Sequence, residues 1–464
     1  MKDGGCNYRA RLASVHLPSD IEELRALVLG ARRDGRRVVV CGAGRSQGGL
    51  TLADHAIQID TSRLTRVEDI DSRAMTVRVQ SGVTWDRLRG VLDPLGLSTR
   101  CNQSYGVFTV GGSVSVNAHG RNVDTGVLAE TIVAVRVMLA TGEIVQAGRE
   151  ENRELFGLVV GGLGLIGVLV DVTLRLTRND EYEKSRVVVM PVTEYPRYVA
   201  EQVRSDRDVH FHYARLSVAD DELWQRLFCV DYRLRPGGET ADAFRAEPLD
   251  RAAMAKQRML LWGVRRSSWV RRQRFGWELQ YRSHPERVRR NNVAKESIRA
   301  IQSSARHRAD WLQEFFVPAP ALLDFLGAAL QVLREEQFRL LNTTLRFVPR
   351  NEDALLSYAR QDSFSAVLCF EQALEPRQIR RTEHVLRRLL DCALDVGGAH
   401  YLCYQRFAST EQLQLAYPGL TDFFDLKNKW GPDGLFTNQF HQQYGSGATV
   451  PAPAPAPASP LPLP

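Results

Sequence analysis

Three glycine-rich stretches are the first residues of this 464-residue chain whose types and spacing suggest chemistry. GAGRSQGG (42–49) directly follows the apolar run Val38–Cys41, TVGGSVSVNAHG occupies 109–120, and GGLGLIG occupies 161–167. Glycines let backbone N–H groups come close enough to cradle an anion, so a loop of the first kind behind a buried strand is a phosphate-binding candidate. A nicotinamide-type dinucleotide fold would use such a loop, and Asp60 at the end of the next strand mimics its ribose-binding acid. Three features exclude that fold. The spacing is GxGxxxG rather than GxGxxG. The stretch Gln47–Ala56, with Gly48-Gly49 inside it, leaves no room for a crossover helix, and a helix precedes the first strand. Any one loop alone is better explained by tight turns, but three of them between 42 and 167 need a common use.

Short elements surround these loops. Ser19-Asp-Ile-Glu22 predicts a capping box ahead of Leu24, Leu27, Val28 and Ala31 at helical spacing, and Gly35 stops that helix. Arg37–Cys41, Ile57–Asp60 and Met75–Gln80 carry strand patterns, Trp85–Leu95 a helix, Thr131–Gln146 a hairpin turning at Thr141-Gly142, and Val168–Leu176 a strand. From about Glu181 glycine thins out. Helical stretches (194–205, 319–335, 375–395, 418–429) then alternate with strand-like runs (313–317, 341–348, 365–370, 401–404). The pattern is α+β with a boundary near 178, which predicts one domain over 1–178, a second over 179–417 and a segment 418–445 that returns to the first. The Pro/Ala-rich residues 446–464 have no core to bury and are expected to be disordered or polyproline-like.

Composition excludes whole classes. At 44% hydrophobic, 25% charged and 8% aromatic the chain is neither disordered nor fibrous. Its net charge of +7 is unevenly placed: residues 251–310 hold 16 Lys/Arg against four Asp/Glu, so the remainder is mildly acidic. A uniform nucleic-acid coat is thereby excluded, and one basic segment needs an explanation. RRSSWVRRQRFGWELQYR (265–282) interleaves Arg with aromatics. Four uses stand open for it: a solvated helical face paired with acids elsewhere, peripheral contact with an anionic membrane surface, an anionic substrate, or a nucleic-acid groove, the last without any recognised module beside it. The first residues lack an apolar signal core, and the longest uncharged apolar run, Leu155–Val170, holds five glycines in 16 residues, too short for a bilayer span. Seven scattered cysteines without a CxxC pair predict neither a disulfide framework nor a metal site, and a cytoplasmic location is expected.

Taken together the motifs resemble the FAD-linked oxidases of the vanillyl-alcohol oxidase / p-cresol methylhydroxylase (PCMH) type. The resemblance rests on VVVCGAGRSQGG (38–49), VTWDRLRGVLDPLGLS (83–98), TVGGSVSVNAHG (109–120), VRVMLATGEIV (135–145), GGLGLIGVLVDVTLRL (161–176), YLCYQRF (401–407) and LKNKWGPDGLFTNQF (426–440), and it spans about 15–445. The chain is most similar to the alditol, aldonolactone and decaprenylphosphoryl-ribose oxidase subgroups. The resemblance implies a PCMH-type FAD-binding domain and a substrate (cap) domain carrying a mixed or antiparallel sheet. It implies that the backbone amides of Gly42, Ala43, Gly44, Arg45, Ser46 and Gln47 hold the pyrophosphate, and that Thr109, Val110, Gly111 and Gly112 pass under the flavin. Val116, Asn117 and His119 would lie beside the ring, Ile166 and Val168 on the adenine–ribose side, and Tyr401 and Asn438 would close it. Arg45 stands where many relatives carry a flavin-tethering His, and Tyr105 stands at the position of a second, cysteinyl tether, with Cys101 offset. FAD is therefore expected to be non-covalent, and Arg45 either meets phosphate or is solvated.

Oxidation of a CH–OH group at a flavin needs hydride geometry over N5, a group to take the hydroxyl proton, and positive charge near N1–C2=O. The resemblance places His119 near the ring and Glu314, Arg346 and Tyr404 at pocket-lining positions. A structural His119, or a plain buried Arg346–Glu314 ion pair, are the alternatives. Tyr404 stands where sugar-oxidase relatives often carry Lys, leaving Arg346 or Arg406 for the charge; His400 is a weaker candidate. The expected function is FAD-dependent oxidation of a sugar, polyol or lactone-like small molecule, with oxygen or another electron acceptor. Two other readings remain: the oxidising half of a two-protein epimerase, and a non-catalytic protein that binds flavin or an anionic surface.

Overall fold

The computed structural model describes residues 1–101, 103–235, 244, 251–293 and 307–445; the Pro/Ala-rich segment 446–464 lies outside the described residues. The first helix, Ile21–Arg33, is capped by Asp20 rather than Ser19. The Asp20 carboxylate accepts from Glu23 N at 2.8 Å, while the Ser19 N–H and hydroxyl both donate to Glu23 Oε2. The cap thus lies one residue on, and Glu23 reaches back past it to Ser19, with an anion at the helix N-terminus where the dipole favours it. Leu24, Val28 and Ala31 turn inward at helical spacing and pack with Val38, Ile59, Met138 and Val168.

That core joins two small sheets. One is parallel, in the order Ser14–His16, Ile57–Asp60, Val38–Cys41. The other is antiparallel, in the order Val67–Asp71, Thr76–Gln80, Val168–Arg178, Ile132–Met138, Ile144–Gly148, with Leu97–Thr99 pairing along Val168–Arg178. The end of the chain returns to the parallel sheet. Val38 N donates to Leu435 O (2.8 Å) and Thr437 N donates to Val38 O (2.9 Å), burying Leu435 and Phe436 in the same core.

Three residues beyond Arg178, at Glu181, the chain enters a different sheet. Eight antiparallel strands run in the order Arg287–Arg289, Glu181–Pro191, Arg226–Leu234, Val209–Leu216, Asn342–Val348, Ser363–Ala373, Arg308–Pro318, Ala399–His400. Helices Leu322–Glu335 and Pro376–Leu394 pack against Arg308–Pro318, with Phe315 meeting Phe325 at 5.8 Å between ring centroids. The period of two along a strand then sends Leu312, Glu314 and Phe316 to the opposite face. A helical pair, Arg251–Arg266 and Ser268–Arg282, lies beside the same sheet, its second helix capped by the Ser267 hydroxyl and packed through Phe275 on Phe228. The run 401–404 is not a strand: pairing ends at His400 and Tyr401–Tyr404 forms a turn.

Asn438 fastens the returning segment. Its Oδ1 accepts from His441 N (3.0 Å) to cap helix Gln439–Tyr444, and its Nδ2 donates to Leu163 O (2.9 Å) in the third glycine-rich loop. Asn438→Ala removes both bonds at a buried position and is expected to lower unfolding free energy by about 1–3 kcal/mol, read by chemical denaturation. An unchanged denaturation midpoint contradicts this clamp.

Candidate active site

The pleat of the eight-stranded sheet lays out one wall of a large cavity. Arg215, Thr344, Val367 and Glu314 are register partners on four neighbouring strands and all face the cavity. Two residues away, Asn342, Cys369 and Leu312 form a second lining row. On the other side Arg346 lies opposite Ser365, which lies opposite Phe316. The facing wall comes from the glycine-rich loops: Gly42–Gln47, Thr109, Gly111, Gly112, Val116 and His119 line the same space, whose volume is about 1240 Å³. That exceeds the roughly 300–1,000 Å³ of an ordinary small-molecule site, so it has room for a large ligand and a small one together.

One buried contact joins the walls. His119 Nε2 lies 2.7 Å from Glu314 Oε1, with side chains 3% and 2% exposed. The Ser365 hydroxyl donates to the same oxygen. Burial pushes the Glu314 carboxyl up, but His119, Arg346 and Ser365 outweigh it and hold the group below the usual carboxylate range. The alternative of a plain Arg346–Glu314 ion pair does not form; Glu314 pairs with His119, and Arg346 Nε is buried without a hydrogen-bond partner. Phe316, Tyr358 and Tyr401 set their rings against the His119 imidazole at 5.3–6.0 Å. Tyr404 faces the cavity from the 401–404 turn, its phenol pushed well above its ordinary range by burial and so neutral.

The loops meet where only glycine fits. A Cβ on Gly42 would stand 2.3 Å from Thr109 Oγ1, and one on Gly111 would stand 2.6 Å from Ser81 Cβ. The N–H groups of Gly42, Ala43, Arg45 and Ser46 find no acceptor among the described residues, and the hydroxyls of Ser46 and Ser81 are buried without partners. Gln47 is spoken for by the sheet: its Nε2 donates to Asp310 O (3.2 Å), its Oε1 accepts from Leu312 N (3.0 Å), and its own N–H donates to Cys403 O.

Residues 12–148 match the FAD binding domain family. Among individual proteins, the chain is 23% identical to an L-gulonolactone oxidase of Scyliorhinus torazame over 444 residues, covering 91% of this chain and 93% of that one. It is 30% identical to the L-gulonolactone oxidase of Bos taurus over 158 residues (34% of this chain, 36% of that one). It is 33% identical to the decaprenylphosphoryl-beta-D-ribose oxidase of Mycolicibacterium smegmatis over 174 residues (36% and 37%). The alignments to the last two thus span little more than a third of either partner. Residues 12–148 thus carry an FAD-binding domain of the PCMH type, and the chain as a whole is similar to FAD-linked sugar-lactone oxidases.

Its wall suits the cofactor: unpaired N–H groups for two phosphates on one loop, glycine contacts no side chain could replace, and a cavity of sufficient size. Several residues expected at the FAD site act from behind that wall. Val110 and Val168 are core, and Ile166 borders a small neighbouring hollow rather than the main cavity. Asn117 Oδ1 accepts from Ala129 N (3.0 Å) and its carbonyl takes the Tyr358 hydroxyl, while Asn438 clamps Leu163. Tyr401 lines the cavity and donates to Val116 O at 2.9 Å. Arg45 is exposed at the rim with no partner among the described residues. Arg406 is structural, donating to Gly48 O and Gln439 O beneath the first loop.

The basic segment divides. Arg265 pairs with Asp310 and Glu371, Arg271 with Asp220 and Arg272 with Asp221, as a paired helical face requires. Arg274, Glu278 and Arg282, spaced by four, instead share the helix stripe that faces the cavity. That stripe was invisible to composition; the i, i+4, i+8 spacing was the signal.

His400 lies outside the cavity lining. It is buried, its Nδ1 is unpaired, and burial pushes its pKa down to about 4. The unfolded histidine protonates near its ordinary value of 6.5 while the folded one does not until about 4, so stability falls as pH drops through that window. The slope from this group is up to about 1.4 kcal/mol per pH unit. His400→Leu is expected to flatten the acid limb of a melting-temperature profile between those values; an unaltered limb refutes the assignment.

Proposed function

We propose that this FAD-dependent oxidoreductase oxidises the CH–OH group of a sugar lactone or a closely similar polyhydroxy compound. The observation that carries the reading is the buried His119–Glu314 pair on the sheet wall of a cavity whose opposite wall suits FAD. The L-gulonolactone oxidase likeness over nearly the whole chain supports the lactone class. When bound, FAD supplies the two-electron acceptor that such an oxidation needs.

The remaining roles belong to the chain. Glu314 Oε1 is occupied by His119 and Ser365, while its second oxygen takes no hydrogen bond from the described residues. That ionised oxygen is the acceptor for the substrate hydroxyl proton, and His119 is a positioning residue that fixes the carboxylate. Tyr404, neutral and facing the cavity, donates a hydrogen bond to a substrate oxygen. Arg346 lines the same cavity two strands from Glu314. The N–H groups of Gly42, Ala43, Arg45 and Ser46 hold the pyrophosphate, and with Arg45 and Tyr105 at the tether positions FAD is held without a covalent bond.

Acid precipitation of the yellow holoenzyme is expected to leave the flavin in the supernatant; a yellow pellet refutes the non-covalent assignment. Anaerobic mixing with L-gulono-, L-galactono- or D-arabinono-1,4-lactone should bleach the visible flavin absorbance. In Glu314→Gln with retained flavin, bleaching should slow by about 10²–10⁴-fold, and His119→Asn should move the pH profile of the bleaching rate. Absence of bleaching by every lactone and polyol overturns the substrate class, and full-speed bleaching by Glu314→Gln overturns the proton acceptor.

A further inference from the structure

The cavity is chemically lopsided. At its Glu314 end the one carboxylate is matched locally by His119 and a serine hydroxyl. Two to three strands away, at roughly 10–14 Å by the ~4.8 Å strand spacing, the lining is dominated by guanidinium groups. Arg215 and Arg346 come from the sheet, Arg274 and Arg282 from the helix Ser268–Arg282 that covers it. The acid among them is Glu278, paired with Arg215 at 3.2 Å and facing Arg274 at 3.8 Å. Glu286 and Asp310, further out in the same lining, are matched by Lys184 and Arg265.

Two of the four arginines are engaged by protein, although the Nε of Arg215 is itself buried without a hydrogen-bond partner. Arg215 also donates to Thr344 Oγ1 at 2.6 Å, and Arg274 donates to Leu341 O. The other two are not. Arg282 and Arg346 make no ion pair or hydrogen bond among the described residues, and the Nε of each is buried without a partner. Arg282 is held by ring faces instead, over Tyr213 (5.9 Å) and Tyr281 (5.6 Å), which fix the guanidinium plane but accept none of its N–H groups in plane. Native folds rarely leave buried donors unanswered without a ligand or a function to answer them. Planar guanidiniums that converge on one space match an oxyanion, whose oxygens accept two or more N–H groups at once.

We propose that the arginine end of the cavity, formed by Arg215, Arg274, Arg282 and Arg346, is an oxyanion subsite, and that the substrate carries a phosphate or carboxylate at the end remote from the oxidised carbon. This rests on the reading of the Glu314 end as the place of oxidation, and it narrows that substrate from a neutral lactone to an anionic polyhydroxy compound. Glu278 sets the selectivity of the subsite: it holds Arg215 and Arg274 in place and leaves the net charge positive enough for one anion.

Calorimetric titration of the flavin-loaded enzyme tests this without turnover, with inorganic phosphate and malonate as the two probes. Saturable binding of at least one is expected; phosphate alone points to a phosphorylated substrate and malonate alone to a carboxylated one. Arg282→Gln should weaken the binding at least tenfold, and Glu278→Gln, which removes the competing carboxylate, should strengthen it severalfold. Arg272→Gln, an exposed arginine paired with Asp221, should leave it unchanged. No saturable binding of either probe, or equal binding by wild type, Arg282→Gln and Glu278→Gln, overturns the subsite. Lactone-driven bleaching that persists in such a protein leaves the proposed oxidation standing, while anion binding without any lactone bleaching refutes the lactone reading alone.

Discussion

An ionised carboxylate at 2% exposure cannot stand unmatched in a protein interior, and Glu314 is such a group. Its compensation comes from two directions. Ser365 belongs to the neighbouring strand of the same sheet, and His119 belongs to a glycine-rich loop on the opposite wall. The electrostatic requirement of one side chain therefore fixes the distance between the large sheet and the loop. Gln47 repeats the arrangement with neutral groups, pairing both ends of its amide with the backbone of Arg308–Pro318. Between these two clamps the first and second glycine-rich loops meet at Gly42 and Thr109, so the FAD-facing wall and the sheet wall are positioned as one unit.

The cavity inherits its chemistry from the sheet's period of two. Facing residues recur at 310, 312 and 314, while Phe315 next to them is spent on the helix behind. Crossing the strands at the level of Glu314 leads through Val367 and Thr344 to Arg215, from an acid to a base over one register row. The helix Ser268–Arg282 adds its own stripe at the basic end. Antiparallel register and helical spacing, two unrelated periodicities, thus deliver like charges to the same place.

Much of the first 178 residues was legible because the signal there is local. Glycine clusters, a capping sequence and short apolar runs each act on their immediate neighbours; the cap moved by one residue, to Asp20, while the short or charged elements Val67–Asp71, Leu97–Thr99 and Arg153–Val159 carried too little local signal to be read. The strands Glu181–Pro191, Val209–Leu216 and Arg226–Leu234 were missed because their charged residues are neutralised by partners distant in sequence: Arg186 and Arg233 by Asp206, Lys184 by Glu286. The alternation in 401–404 was misleading for the reverse reason. Its aromatic residues are buried by tertiary contacts around Glu314 and His119, without any ladder to join. His119, Glu314, Arg346 and Tyr404 were named by resemblance and do share one cavity, but no spacing could foretell that Glu314 would choose His119 over Arg346.

Net charge shows the same limit. A block of 16 basic residues against four acidic ones describes an amount, whereas function depends on which charges are left uncompensated and where. Arg265, Arg271 and Arg272 are cancelled by aspartates that lie far off in sequence or outside the block. Arg290 is consumed in a third way, holding the carbonyls of Thr99 and Arg100 and the hydroxyl of Tyr182, a mechanical tie between the large sheet and the loop behind the second glycine cluster. Of the described arginines in that helical face, it is the stripe of Arg274 and Arg282, joined by Arg215 and Arg346 from outside the block, that retains charge toward the cavity. The effective cationic centre is therefore assembled half from the basic segment and half from strands whose own composition is unremarkable, and only the fold brings the two halves to one side of Glu278.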